Sequence, residues 1–84
     1  MIEDELRAIV AEVAEIDPAS IDPSGTLADA GVDSLMAMEI AVDVERRYGL
    51  SFTVEELKRI TTFGSLVELT RGRLAEQEGA SSGR

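Results

Sequence analysis

Both prolines of this chain, Pro18 and Pro23, fall between Asp17 and Asp33, together with Ser24, Gly25 and Gly31. So many breakers rule out a long helix there, and their irregular spacing suits no strand. The segment is therefore a long loop, with Ile21, Leu27 and Val32 as apolar anchors that can pin it across whatever lies beneath. Loops of this length inside a small domain are usually functional, because a plain connector between helices seldom needs so many residues.

On either side the pattern is helical. Ile2, Leu6, Ile9, Val10, Val13 and Ile16 form one stripe at helical spacing, ended by Asp17 and Pro18. Ser34 to Tyr48 contains no proline or glycine, and Gly49 stands where a left-handed cap would close the helix. Thr53 with Glu56 forms a capping-box pattern opening a short helix through Ile60. Thr62 caps a last helix in which Phe63, Leu66, Val67 and Leu69 face the core. Gly72 weakens its carboxyl end, and residues 77–84 are expected to be a disordered tail beyond a domain spanning 1–76. No repeat and no sustained alternation appears. The expected fold is all-α: a small four-helix bundle, three main helices and one short one, with the long loop between the first and second.

Composition narrows the function. The 84 residues contain no cysteine and no histidine, which removes the thiol nucleophile and the commonest general base and zinc ligand. Seventeen acids oppose eight bases, and Arg7 is the one base before Arg46. That field disfavours nucleic acid and suits encounters with basic protein surfaces. Without a secretory signal or a membrane-spanning apolar run, a cytoplasmic monomer with no membrane role is expected. Met1 close to a helix start suggests a free-standing protein.

The second helix carries apolar residues on two sides. Ala37, Ile40, Ala41, Val44 and Tyr48 suit a core, while Leu35, Met38 and Val42 lie roughly opposite, flanked by Glu39 and Glu45. Either that outer strip is a docking surface rimmed by acids, or the helix is central and covered on both sides. Ser34 stands at the outward start of this helix, where first-turn amides and the macrodipole favour a phosphodiester. Asp33 can cap the helix and help hold a divalent cation during modification. By itself, an aspartate cap followed by serine is commonplace.

The whole frame, however, resembles the acyl carrier proteins. Gly31-Val32-Asp33-Ser34-Leu35 is similar to their attachment motif, and the likeness continues through Glu39-Ile40, Glu45, Tyr48-Gly49, Glu55-Glu56-Leu57 and Ile60-Thr61-Thr62. The resemblance spans roughly Ile2 to Leu74. It implies a non-catalytic carrier with 4'-phosphopantetheine, taken from coenzyme A by a phosphopantetheinyl transferase, on Ser34, beside Asp33 and Leu35. Acyl groups would ride as thioesters on the arm to a ketosynthase, an acyltransferase and other synthase enzymes. Leu35, Met38, Glu39, Val42, Glu45 and Arg46 would meet those partners, and Ile9, Ile40, Val44, Leu57 and Ile60 would wall an acyl-chain pocket. Val32 departs from the paired glycine of peptidyl carriers, and Arg46-Arg47 from the acid run of fatty-acid carriers. Ser34-Leu35-Met36-Ala37-Met38 looks more like polyketide carriers, with fatty-acid synthesis the alternative.

Rival classes are weaker. Ser34 has no histidine or cysteine to activate it, which argues against a hydrolase. Asp29 and Asp33 lack the other ligands of a calcium loop, so no metal site is expected. An unmodified acidic helical adaptor remains as the alternative from another class.

Overall fold

The computed structural model describes the backbone of residues 1–82 and the side chains of residues 1–77. Four helices follow in order: α1 Ile2–Ala14, α2 Ser34–Tyr48, α3 Val54–Arg59 and α4 Phe63–Ser82. Leu6 and Val10 of α1 meet Ile40 and Val44 of α2 and Phe63 and Leu66 of α4 in a core from which solvent is almost wholly excluded. α1 packs against both α2 and α4, so the bundle is organised around it. No described helix is long and apolar enough to cross a membrane.

The helix ends follow local chemistry. α1 stops at Ala14, short of the expected Ile16, because Glu15 turns left-handed (φ 57°) and its N–H closes back on the Ala11 carbonyl. That turn frees Asp17 to take the extended backbone a residue before proline requires, and its side chain caps a 3-10 turn over Pro18–Ser20. α2 ends where expected, with Gly49 at φ 66° and its N–H on the Glu45 carbonyl. A side chain at Gly49 would be strained by that left-handed backbone. α3 opens with the full capping box between Thr53 and Glu56. The Thr53 amide is the main reason the Glu56 carboxyl is held below the usual carboxylate range, helped by the guanidinium of Arg73. Arg73 Nη1 donates to Glu56 at 2.7 Å and to the Ser51 carbonyl at 2.9 Å, tying α4 to α3.

The carboxyl end of α4 differs from expectation. Residues 77–82, expected in a disordered tail, continue the helix to Ser82, while Gly83 and Arg84 lie outside the described residues. The run Arg73-Leu74-Ala75-Glu76-Gln77 consists of strong helix formers, which outweigh Gly72. Gln77 also anchors the stretch by donating to the Gly49 carbonyl at 2.8 Å.

The long loop crosses the end of the bundle and is held at three levels. Ile21, Leu27 and Val32 are buried as anchors. The Leu27 N–H donates to the Thr61 carbonyl at 2.9 Å, and Thr26 pairs with Thr62 in a single antiparallel bridge. Gly64 lets its backbone approach closely: its N–H donates to the Pro23 carbonyl, which a Cβ there would meet at 3.0 Å. The third hold is Arg7. Its guanidinium donates to the carbonyls of Ile21 (2.7 Å) and Pro18 (3.3 Å) and to Glu3, and lies 4.8 Å from the centre of the Phe63 ring.

Arg7→Ala is therefore expected to lower stability by about 2 to 3 kcal/mol, because charge-assisted hydrogen bonds and a cation over an aromatic face are lost together. Arg7→Lys should recover less than half: Nη1 alone reaches both carbonyls, but a single ammonium placed there cannot also lie flat over the Phe63 ring and reach Glu3 as the planar guanidinium does. Denaturant midpoints check this. Wild-type stability in Arg7→Ala would mean that the apolar anchors and the backbone hydrogen bonds hold the loop without the guanidinium.

Candidate functional site

Ser34 is the first residue of α2, and its position is set by Asp33. The Asp33 backbone is extended, and its side chain accepts from the Met36 N–H at 2.8 Å, which fixes where the helix starts. Gly31, with φ 94°, closes a second 3-10 turn over Ala28–Ala30 and brings the chain round to that start. Ser34 is exposed. The first-turn amides and the positive end of the α2 dipole lie beside its hydroxyl, a setting that stabilises an attached anion.

Behind Ser34 lies a cavity of about 250 Å³ between α2, α3, α4 and the long loop. Its walls are apolar apart from Ser34 at the opening, and they include Ile40, Leu57 and Ile60. Ile9 and Val44, also expected as wall residues, do not reach it. Both are buried among core neighbours on the α1 side of α2. Leu27, Ala37, Met38, Ala41 and Leu66 complete the lining. Helical projection marked several of these as core or strip residues, but their gathering around one space depends on the loop and α3, which no single-helix pattern describes.

The outward side of α2 carries the expected strip. Leu35, Met38 and Val42 are 72%, 54% and 37% exposed, so this helix is not covered on both faces. Met38 and Val42 join Glu39, Arg46 and Asp43 around a shallow groove of about 290 Å³. Asp43 was not singled out from the sequence, although its place four residues after Glu39 puts it on the same face. Glu45 departs from the expected rim. Its carboxylate accepts from the Phe52 N–H at 2.7 Å and braces the turn between α2 and α3. Tyr48, at the last turn, donates to Glu5 of α1; burial, then that carboxylate, pushes its phenol up to about 12.

A 4'-phosphopantetheine group fits this arrangement on three counts: an exposed primary hydroxyl, a helix start that favours its phosphate, and an apolar space opening at the same residue. Among the described residues no cluster of acids offers a metal site.

Comparison with known proteins gives the same answer. Residues 4–70 match the family described as phosphopantetheine attachment site. The chain is 38% identical over 74 residues to polyketide-8 synthase acyl carrier protein 2 of Streptomyces avermitilis, covering 87% of this chain and 85% of that protein. It is 40% identical over 77 residues to a non-reducing polyketide synthase, pkiA, of Emericella nidulans, of which it spans only 3%. Among solved structures, the hexanoyl carrier protein from the actinorhodin polyketide synthase of Streptomyces coelicolor superposes with a TM-score of 0.77 at 34% identity, covering 87% of this chain and 90% of that one. The acetyl form of the actinorhodin carrier gives 0.74 at 35%, covering 92% and 94%. With its four helices, its exposed serine at the start of α2 and these relatives, the chain belongs to the phosphopantetheine-attachment family as an acyl carrier protein of the polyketide type.

Proposed function

We propose that Ser34 is the residue that bears the arm, and that this chain presents acyl intermediates to polyketide synthase enzymes without catalysing a step itself. The observation that carries the reading is the coincidence at one residue of an exposed hydroxyl, a helix start and the mouth of an apolar cavity. When bound, the group supplies a terminal thiol that holds cargo as a thioester. The chain's own residues then do three things. The amide end of α2 stabilises the phosphate. Ile40, Leu57 and Ile60, with Leu27, Met38 and Leu66, offer an apolar refuge of about 250 Å³; a dry cavity of ~150 Å³ suffices for benzene. Leu35, Met38, Glu39, Val42 and Arg46 face partners. The carrier unit on this reading is residues 1–76.

Loading is tested by incubating the protein with coenzyme A, magnesium and a phosphopantetheinyl transferase. One arm per chain is expected, mapped by peptide mass spectrometry to Ser34. An unmodified chain would favour the adaptor alternative.

Docking has its own test, in binding kinetics with a cognate ketosynthase across a salt series. Glu39→Gln is expected to slow association and weaken its salt dependence, since exposed charges act mainly on encounter. Met38→Ala is expected to hasten dissociation roughly tenfold, because truncating a buried apolar contact at an interface centre costs about 1 to 2 kcal/mol. Glu45→Gln, in contrast, should affect stability more than association. Unchanged rates in Glu39→Gln and Met38→Ala would place docking on another surface.

A further inference from the structure

Ser34 opens onto two spaces, and they differ in chemistry. The inner cavity is apolar beyond its mouth. A second groove, about 370 Å³, shares Leu27, Ser34, Ala37 and Ile60 with it but runs along the long loop, where Thr26, Ala28, Asp33 and Thr61 are exposed at its edges and Val32 is buried beneath. The two threonines are held in place by the backbone. Thr61 accepts from the Leu27 N–H, and Thr26 pairs with Thr62. Their hydroxyls are available. Thr26 Oγ1 accepts from the Asp29 N–H and keeps its own proton to give. Thr61 uses its backbone N–H and C=O, while its exposed hydroxyl makes no hydrogen bond among the described residues.

A pantetheine chain is mixed in character: a dimethyl-substituted carbon and short methylene runs alternate with a hydroxyl and two amides. In the inner cavity those amides would be desolvated without partners, which an apolar wall does nothing to offset. The second groove offers hydroxyls at its edge and an apolar floor beneath. Resting on the Ser34 reading, we infer that the arm lies along this groove, its amides hydrogen-bonded by Thr26 and Thr61 and its methyl groups over Leu27 and Val32. The inner cavity is then left for cargo. The shared residues Leu27 and Ile60 form the junction between the two.

The chain has no cysteine, so the arm's thiol is the only one in the loaded protein and reports on the arm alone. The full chain is loaded enzymatically, the arm is mapped, and backbone amide shifts are compared before and after loading. Thr26, Ala28 and Thr61 should move. Alkylation of the thiol by iodoacetamide should be about two- to tenfold faster in Thr61→Val, the effect of one lost hydrogen bond, and near the wild-type rate in Thr61→Ser. Melting curves confirm that the variants are folded. Unmoved amides at those three positions in protein loaded at Ser34 would overturn the groove, as would an unchanged alkylation rate in the double variant Thr26→Val/Thr61→Val. If Thr61→Ser reacts as fast as Thr61→Val, the hydroxyl does not hold the arm. An arm mapped to another serine overturns the Ser34 reading and this groove with it.

Discussion

Ser34→Ala should take up no phosphopantetheine at all while melting within about 4 °C of the wild type. On the Ser34 reading the loss is complete because the acceptor oxygen is gone, and no other serine with a described side chain stands at that helix start. Ser20 donates to the Asp17 carbonyl, Ser24 to the Asp22 carboxylate and Ser65 to the Thr62 carbonyl, so each is tied up in its own turn. Ser51 is exposed but precedes a short helix on another part of the bundle. The fold survives because the cap on α2 comes from Asp33 rather than Ser34, and alanine is at least as good as serine inside a helix. Exposed substitutions that leave caps and core intact usually change stability by less than ~0.5 kcal/mol. Intact mass after exposure to coenzyme A and transferase, with a thermal melt on the same sample, reads both halves. Any labelling of the variant would move the attachment site.

The largest effect on stability is expected from Phe63→Ala. Phe63 is 1% exposed, starts α4 and packs into the core beneath Arg7. Removing a buried phenylalanine ring costs about 3 to 5 kcal/mol through lost transfer energy and the cavity left behind. A domain of this size has only ~5 to 15 kcal/mol in total. Phe63→Ala is therefore expected to be partly unfolded near physiological temperature, and Phe63→Leu, which retains most of the volume, to lose far less. The ring also anchors the loop through Arg7. Effects of Arg7→Ala and Phe63→Ala should accordingly fall short of additive, with a coupling of about 0.5 to 2 kcal/mol in a double-mutant cycle by denaturant unfolding. Strict additivity would mean that the guanidinium and the ring do not interact in solution.

What could be read in advance depended on how local the determinants are. α2 begins and ends where Asp33 and Gly49 say it must, and α3 opens on the Thr53 and Glu56 box, because each is settled by hydrogen bonds within a few residues. The two stripes of α2 also followed from angle alone: Ile40, Ala41 and Val44 are buried, while Leu35, Met38 and Val42 are exposed. The loop anchors Ile21, Leu27 and Val32 were visible as isolated apolar residues among breakers. Thr70, buried in α4, was not, since a threonine gives no apolar signal; its hydroxyl is satisfied by the Leu66 carbonyl one turn back.

Glu39 and Glu45 show the limit most clearly. Both are acids flanking the same strip, yet one lines the outer groove and the other turns to the Phe52 amide. A helical projection gives direction around one axis; it does not say which backbone group a neighbouring turn brings within reach. Ile9 and Val44 repeat the lesson in the interior, where an apolar residue facing inward can fill the core or line a void, and only the packing of the loop and α3 separates the two. Local patterning by itself thus determined the order of the four helices, the caps of α2 and α3, the loop and the serine at the start of α2, because these rest on short-range hydrogen bonds and periodic burial. It missed the left-handed Glu15 that ends α1 and the run of α4 to Ser82. Tertiary structure alone decided the Arg7 anchor and the two spaces that meet at Ser34, because each requires segments far apart in the chain to arrive at one place, and the turn after α2 decided which acid faces outward by bringing the Phe52 amide back to Glu45.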